Sequence, residues 1–573
     1  MENNYFDSKI LEEILNIPSP TGYTKDMLNY LQKELNDMND EQLNDAFYTE
    51  LTFGTGGMRG ILGPGTNRMN IYTIRRANYG YGKYILMEKE KQHSVVIAYD
   101  CRRNSLTFAK ESARVLATMG IKVFLFPKIT PTPELSFAVR HLKTSGGIVV
   151  TASHNPPEYN GYKIYDNSGC QLVPDLADIV IKEIEKAPDY FDIKVEEYDV
   201  LVKKGLIEVL DTEIDDEYLK KVKSISLNND MNKKHFKVVF TSLHGTSSVL
   251  GQRLLKEMGY NYIPVKEQMI ADANFSTVKS PNPENGEAFT LAIKYAKENN
   301  ADICVATDPD ADRVGLAVLH KGEYVLLTGN QTGPILIKYL AENRKLSGNN
   351  VLFNTIVTSP LGAMVAKKYG IETVSTLTGF KFIGEQARLL EGTGKKFFFG
   401  YEESYGYVAS DFVRDKDSLQ ALLLCSEAAC YYKNMGKTLV DVLNDIYEEF
   451  GYYQEKLVNI NLAGEEGAKK IKRILDYFRN EINFTIGSLH AIAKEDYLLQ
   501  KRYEGEDVSK ISLPKSNVIK YFLEDGSWFV LRPSGTEPKM KIYISAVSKG
   551  LTESMDKVKN IEENVLKLVN KIE

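Results

Sequence analysis

The chain has 573 residues, 43% hydrophobic and 26% charged, and 71 Lys+Arg against 77 Asp+Glu leave a formal charge of -6. That balance excludes a disordered, collagen-like or coiled-coil chain, and with no basic run interleaved with aromatics it argues against a nucleic-acid partner; an anionic ligand would need a local cationic site. The length exceeds a single hydrophobic core and implies about four folded units.

The N-terminus, Met1-Glu2-Asn3-Asn4-Tyr5, lacks the basic start and apolar core of a secretion signal. Charges interrupt every apolar stretch before it could span a bilayer, so a cytoplasmic protein with no membrane partner is expected. The five cysteines (Cys101, Cys170, Cys304, Cys425, Cys430) are odd in number and lack CxxC spacing. Neither a disulfide framework nor a zinc site is indicated, and buried small apolar residues are expected.

In chain order, the first chemical signal is Phe53-Gly54-Thr55-Gly56-Gly57-Met58-Arg59-Gly60. It holds too many glycines for regular structure and could bring Arg59 to a phosphate, but it does not satisfy GxGxxG. Short runs at Val95-Val96-Ile97-Ala98, Lys122-Val123-Phe124-Leu125-Phe126 and Gly147-Ile148-Val149-Val150 then alternate with helical patterns such as 108–119. The alternation argues for an α/β unit with a largely buried sheet.

Thr151-Ala152-Ser153-His154-Asn155-Pro156-Pro157 follows the third run, which puts Ser153 at a strand's carboxyl end, a favoured catalytic position. Hydroxyl, imidazole and amide in series, with prolines stiffening the exit, could present one oxygen to an electrophile. The Gly-x-Ser-x-Gly of a serine hydrolase is absent, which disfavours acyl chemistry; a plain turn stays open as a reading of the same residues.

The charged, core-poor stretch 186–216 reads as a surface excursion or linker, with a domain boundary near 210. The α/β rhythm restarts at Val238-Val239-Phe240, with Ile303-Cys304-Val305-Ala306 as a later strand, and again at Val351-Leu352-Phe353. After the strand at 303–306 stands Asp308-Pro309-Asp310-Ala311-Asp312-Arg313. Three carboxylates at i, i+2 and i+4 of an extended loop point the same way, and crowding them requires a cation. Oxygen ligands with room left for a phosphate oxygen suit Mg2+. A calcium EF-hand fails, because its sixth position needs Gly where Arg313 stands and its twelfth Glu where Leu319 stands. The plainer alternative, a solvated acidic turn, is weighed against the loop's place at the end of an apolar strand.

Thr376-Leu377-Thr378-Gly379-Phe380-Lys381 and, after the apolar run 397–399, Gly400-Tyr401-Glu402-Glu403-Ser404-Tyr405-Gly406 offer carboxylates and hydroxyls able to pair with vicinal sugar hydroxyls, although each alone could be a polar loop. From about 453 onward the pattern changes to helices first, then strands at 518–523 and 528–532 joined by Glu524-Asp525-Gly526-Ser527, a strand at 541–545 and a closing helix from Leu551. That is an α+β unit. Within it, Arg532-Pro533-Ser534-Gly535-Thr536-Glu537-Pro538-Lys539 combines a planar guanidinium fork, hydroxyl donors and a glycine that lets backbone amides curl toward an anion. GxxxxGK[ST] is absent, so nucleotide triphosphate hydrolysis gains no support, and a Pro/Gly turn between strands remains an equal reading.

In this order the motifs resemble the α-D-phosphohexomutase superfamily, and above all the larger, phosphopentomutase-related branch of bacterial phosphoglucomutases, from about Asp45 to the C-terminus. The resemblance implies four domains around a central cleft, three α/β mixed-sheet domains followed by a C-terminal α+β domain, with expected bounds of 1–210, 211–322, 323–452 and 453–573. It implies that Ser153 is the phosphorylated serine and that Asp308, Asp310 and Asp312 bind one Mg2+ alongside its phosphate. Arg59 and Arg313 would steady the phosphoryl group. His154, and Lys163 in Asn160-Gly161-Tyr162-Lys163, would be acid/base or positioning groups. Thr378, Gly379 and Lys381 would line the sugar site, Glu402 and Ser404 would hold sugar hydroxyls, and Arg532, Ser534, Gly535 and Thr536 would bind the phosphate that is not transferred.

The implied reaction interconverts glucose 1-phosphate and glucose 6-phosphate through a phosphoserine enzyme, with glucose 1,6-bisphosphate as intermediate and activator. Positioning and charge neutralisation carry most phosphoryl-transfer catalysis, and turnover of the bisphosphate implies a mobile last domain. A sugar phosphate is the expected partner of a monomer or weak dimer. The alternatives are a phosphomannose or phosphopentose substrate and a metal-dependent phosphatase; a silent sugar-phosphate sensor is disfavoured, because every expected reactive position is filled. One departure is residues 1 to about 40, which do not look like the usual family start. There Ile14-Leu15-Asn16-Ile17-Pro18-Ser19-Pro20-Thr21-Gly22-Tyr23 is similar to the opening of some metallopeptidases. No downstream peptidase ligand set accompanies it, so packing or tethering helices are expected.

Overall fold

The β-branched runs become strands and the patterns between them helices in a computed structural model that describes residues 31–572 apart from 32, 55, 88–92, 463, 482–483 and 534–538. The metallopeptidase-like segment 14–23, the tethering helices expected before residue 31, and Ser534, Gly535 and Thr536 lie outside the described residues. The chain divides into two compact units, one of residues up to 319 with 384–389 and 406–427, the other of 320–383, 390–405 and 428–573.

In the first unit, strands Gly146–Val150, Ser94–Tyr99, Lys122–Leu125 and Ile207–Val209 run parallel, and Tyr159–Asp166 and then Gly57–Ile61 extend the sheet antiparallel beyond Gly146–Val150. Helices Ile71–Ile85 and Ser105–Thr118 bury Ile74, Tyr81, Phe108 and Leu116 in one core with Val95, Ile97, Ile148 and Val150. A second sheet sets Val314–His320, Ile303–Thr307, Lys237–Thr241 and Asn261–Pro264 side by side, the last three parallel. Both sheets aim the carboxyl ends of their parallel strands at the loops that matter, after Tyr99, Val150, Thr241 and Thr307.

In the second unit, Asn350–Thr355 lies between parallel neighbours Glu372–Thr376 and Lys396–Tyr401. Residues from 452 on build an antiparallel sheet in the order Tyr452–Asn461, Lys539–Ser548, Trp528–Pro533, Ile519–Leu523, Leu489–Asp496, Lys501–Glu504, Asp507–Lys510. Helices Gly464–Asn480 and Leu551–Lys571 supply Ile474, Phe478, Ile561 and Val565 to its core. The expected hairpin forms, with Gly526 at φ 86 and the Leu523 N–H donating to Ser527 O at 2.8 Å. Mixed α/β sheets followed by an antiparallel C-terminal domain are the architecture of the molecule.

Three expectations need correction. Stretch 186–216 is no linker, since Ile207–Val209 joins the first sheet beside Lys122–Leu125 and helix Tyr198–Lys203 buries Leu201; its charges line an edge, where a strand needs few apolar residues. The glycine-rich segment 53–60 is half regular, because Gly57–Ile61 pairs with Tyr159–Asp166 and a Cβ at Gly57 would stand 2.2 Å from Tyr162 O. Here glycine permits a close pairing rather than preventing it. The last domain opens not on a helix but on Tyr452–Asn461, paired over its whole length with Lys539–Ser548.

No helix among the described residues is long and apolar enough to cross a membrane. Cys170, Cys304, Cys425 and Cys430 are buried and unbridged as expected, whereas Cys101 is only half-buried.

Candidate active site

Ser153 follows strand Gly146–Val150 by three residues and holds a left-handed φ of 51. Its N–H donates to Thr151 Oγ1 at 2.9 Å, and Thr151 Oγ1 in turn donates to Asp100 Oδ2 at 2.6 Å. The turn is clamped from behind by Arg102, a residue the sequence did not single out. Its Nη2 donates to Ser153 O and to Asn155 O at 2.5 Å each, and its Nη1 to Pro156 O at 2.8 Å and Tyr159 O at 3.0 Å. Arg102 belongs to Asp100-Cys101-Arg102-Arg103, directly after strand Ser94–Tyr99, and the end-of-strand rule that selected Ser153 would have selected it too.

Ser153 Oγ donates to Asp308 Oδ2 at 2.6 Å and lies 3.1 Å from His154 Nδ1. Asp308, Asp310 and Asp312 each offer one oxygen within 4.8 Å of the others, and all three are buried. The segment is not extended, as expected from the i, i+2, i+4 spacing, but turned. Ala311 is left-handed at φ 59 and its N–H donates to Asp308 O at 3.0 Å. Convergence of the carboxylates therefore comes from a turn and not from strand alternation.

Cations and helix ends support the charge. Lys163 Nζ lies 2.7 Å from Asp310 Oδ2 and 3.3 Å from Asp312 Oδ2, and Lys416 Nζ 3.1 Å from Asp312 Oδ2. Lys416, more than a hundred residues farther along, had no signal in its charged neighbourhood. Thr132, at the start of helix Thr132–Leu142, donates its N–H to Asp310 O at 2.9 Å and its Oγ1 to Asp310 Oδ2 at 3.1 Å. The N–H groups of Asp312 and Arg313 donate to Asp308 Oδ1 at 3.0 and 2.9 Å.

Burial, and then the charges of Asp310 and Asp312, push the Asp308 carboxyl well up. Burial works the same way on Asp310, but the Lys163 ammonium, hydrogen bonds to Asp308 and Lys163 and the Lys416 charge together hold that carboxyl below its usual range. Lys163 stays protonated, since the carboxylates overcome its burial. Burial, with the Arg313 and Arg59 charges behind it, holds the His154 imidazole well below its ordinary value, so it is neutral near pH 7. Asp310 Oδ1 and Asp312 Oδ1 remain buried without a hydrogen-bond partner among the described residues. Two orphaned carboxylate oxygens in an all-oxygen cluster fit a hard divalent cation.

Arg59 stands exposed on Gly57–Ile61, opposite Gly161, and its Nη1 donates to Asn155 Oδ1 at 2.7 Å. Arg313 pairs with Glu284 and bridges to Gly406. The structure thus gathers Ser153, His154, Lys163 and the three aspartates in the first unit, with Arg59 on strand Gly57–Ile61 and Arg313 just before strand Val314–His320.

The second unit carries the other candidates. Glu402 is buried and its Oε1 accepts from the Gly379 N–H at 3.0 Å, with Gly379 at φ 119. Thr378 Oγ1 is buried without a hydrogen-bond partner among the described residues, Lys381 Nζ lies over the Phe382 ring, and Ser404 is half-buried. Glu403, from the same sequence motif, accepts from Thr355 Oγ1 at 3.1 Å and Thr358 Oγ1 at 3.2 Å, and burial followed by the Glu402 charge pushes it up to about 7. Arg532 ends strand Trp528–Pro533 with Nη1 3.4 Å from Tyr543 OH.

Comparison with known proteins gives a consistent answer. Residues 50–191, 216–322 and 328–450 match the models for alpha/beta/alpha domains I, II and III of phosphoglucomutase/phosphomannomutase, and 457–558 match that for its C-terminal domain. The chain is 41% identical over 504 residues to a phosphoglucomutase of Staphylococcus haemolyticus, covering 87% of this chain and 91% of that one. It is 39% identical over 513 residues to one of Staphylococcus aureus, covering 88% and 91%. Among solved structures, a putative phosphomannomutase from Thermus thermophilus superposes with a TM-score of 0.68 at 23% identity over 91% of this chain and 99% of that one. The open form of parafusin, a phosphoglucomutase from Paramecium, gives 0.67 at 19% over 91% and 95%; both show likeness of fold.

Proposed function

The chain belongs to the phosphoglucomutase/phosphomannomutase family, and from that premise we propose that it interconverts glucose 1-phosphate and glucose 6-phosphate with Ser153 as the phosphoryl carrier. It is a phosphohexomutase, an intramolecular phosphotransferase. The observation that carries the role of Ser153 is its 2.6 Å hydrogen bond to Asp308, which sets a strained, rigidly held hydroxyl on a carboxylate cluster in which two buried oxygens lack a hydrogen-bond partner among the described residues.

Mg2+ held by Asp308, Asp310, Asp312 and an oxygen on the phosphorylated serine would neutralise the charge of the phosphoryl group in transfer. The side chains do the rest. As a sugar hydroxyl oxygen bonds to phosphorus, the bond from phosphorus to Ser153 Oγ breaks; the proton leaving the hydroxyl balances the one Ser153 Oγ takes up. The neutral His154 imidazole, with Nδ1 3.1 Å from Oγ, orients the serine oxygen for that exchange. In the return half Ser153 Oγ attacks the other phosphate of glucose 1,6-bisphosphate and gives its proton back.

Lys163 keeps its proton and acts by charge, fixing Asp310. Arg59 and Arg313 steady the phosphoryl oxygens. Glu402 and Ser404 take sugar hydroxyls, with Thr378, Gly379 and Lys381 lining their site, and Arg532 with Ser534, Gly535 and Thr536 takes the phosphate at rest. The domain bounds 1–210, 211–322, 323–452 and 453–573, a cytoplasmic location and a monomer or weak dimer complete the proposal.

The test is product analysis with glucose 1-phosphate, Mg2+ and a trace of glucose 1,6-bisphosphate, beside mannose and ribose 1-phosphates. Glucose 6-phosphate should form fastest, without inorganic phosphate. Phosphate release in place of isomerisation would make the protein a phosphatase, and a faster mannose or ribose reaction would move the substrate.

A further inference from the structure

Three residues other than glycine hold left-handed backbone close behind the serine and carboxylate loops: Leu243 at φ 45, His244 at φ 67 and Phe275 at φ 51. Leucine and phenylalanine rarely adopt this region, and such strain persists only where the surroundings fix it, often at functional sites. His244 is bonded to segment 268–277, and Phe275 belongs to it.

Leu243 and His244 lie in the loop after Lys237–Thr241. The His244 N–H donates to Gln268 O at 2.8 Å, and the ring lies between Ile270 O, 2.8 Å from Nδ1, and Thr277 Oγ1, 2.8 Å from Nε2. A carbonyl only accepts, so Nδ1 donates to Ile270 O. Buried Gln268 closes the set, accepting from Thr241 Oγ1 at 2.6 Å and donating to Thr277 Oγ1 at 3.0 Å.

The residues after His244 hold the carboxylate turn. A Cβ on Gly245 would lie 2.4 Å from Pro309 Cα, the Thr246 N–H donates to Pro309 O at 2.8 Å, and Ser247 Oγ meets Thr307 Oγ1 at 2.6 Å. Between its contacts with His244, at Asn274 and Phe275, the segment reaches the serine turn. The Arg102 guanidinium lies 5.0 Å from the centroid of the buried Phe275 ring, and Arg103 bonds the Asn274 side chain. Arg102 is the group that gathers the carbonyls of the Ser153 turn.

We propose that segment 268–277 is a strap that sets the carboxylate turn and the serine turn in register, with His244 and Phe275 as positioning residues at its two fastenings. Neither touches the reacting atoms. Removing a group that orients metal ligands typically weakens metal affinity about 10- to 100-fold. The inference rests on the reading of Asp308, Asp310 and Asp312 as cation ligands, and the experiment keeps the two apart.

Mn2+ is titrated calorimetrically into the full-length protein, and kcat and KM are measured at saturating metal. His244→Ala should weaken Mn2+ binding about 10- to 100-fold. His244→Asn, which tolerates the left-handed region and retains a donor for Ile270 O, should recover most of it. Phe275→Leu, which leaves every residue of the carboxylate turn untouched, should weaken Mn2+ binding severalfold and lower kcat rather than raise KM. Wild-type Mn2+ affinity and kcat in Phe275→Leu would overturn the strap, as would unchanged affinity in His244→Ala. Should His244→Ala fail to fold, Phe275→Leu decides alone. A wild-type protein that binds no Mn2+ would sink the reading of the aspartates instead, and the kcat of Phe275→Leu would still judge the strap.

Discussion

Lys163 is the residue on which the electrostatics of the site turn. Its ammonium is the partner of two buried carboxylates, and breaking such a pair leaves uncompensated charge that costs about 3 kcal/mol or more. Lys163→Met should therefore destabilise the metal-free protein by about 3 kcal/mol or more, read from urea unfolding, and saturating Mg2+ should restore most of it. A loss that Mg2+ leaves untouched would contradict the cation site. Glu455 offers a separate test. Burial raises its carboxyl from 4.5 to about 7, although it accepts a hydrogen bond from Ser545 Oγ at 3.2 Å. The folded protein thus binds an extra proton between those values; the contribution is complete below pH 4.5 and lost as pH rises through 7. Glu455→Gln should be nearly neutral at pH 5 and stabilising by about 1–3 kcal/mol at pH 8, read from urea midpoints. A larger gain at low pH would reverse the sign and refute it. Ser153 and the aspartates were legible in sequence because each motif is contiguous; Arg102 had the same end-of-strand signal, whereas Lys416 acts across the fold on a carboxylate that no local spacing reveals.

Among the elements, helix Gly329–Asn343 packs against the loop proposed to hold the sugar. It starts against the Glu402-Glu403 backbone so closely that a Cβ on Gly329 would lie 2.3 Å from Glu403 O. Gly329→Ala must push the loop aside, and a displacement near an ångström typically lowers catalysis by about 100-fold. The expected outcome is a kcat/KM for glucose 1-phosphate reduced about 10- to 100-fold with an unchanged urea midpoint; wild-type kcat/KM would show that the loop does not hold the sugar. Strands buried on both faces, such as Ser94–Tyr99 and Ile303–Thr307, announced themselves as apolar runs. Ile207–Val209, Gly57–Ile61 and Tyr452–Asn461 did not, because an edge or half-exposed strand mixes charge or glycine into its pattern and is fixed by a partner distant in sequence.

Across the whole molecule, length alone suggested about four units, and the recurrence of strand-then-loop motifs told what they carry. The overall charge of -6 gives an anionic sugar phosphate no general attraction, so recognition falls to the guanidinium and ammonium groups placed at the loops. What composition could not disclose is that one turn, curled at Ala311, gathers the carboxylates on which a serine from another sheet closes. The most direct test is to incubate the protein with glucose 1,6-bisphosphate and Mg2+ and map the acquired phosphate by peptide mass spectrometry. Phosphate on Ser153, absent when Mg2+ is chelated, is the expected result. Phosphate on a different residue, or none at all while glucose 1-phosphate is still converted to glucose 6-phosphate, would contradict the account.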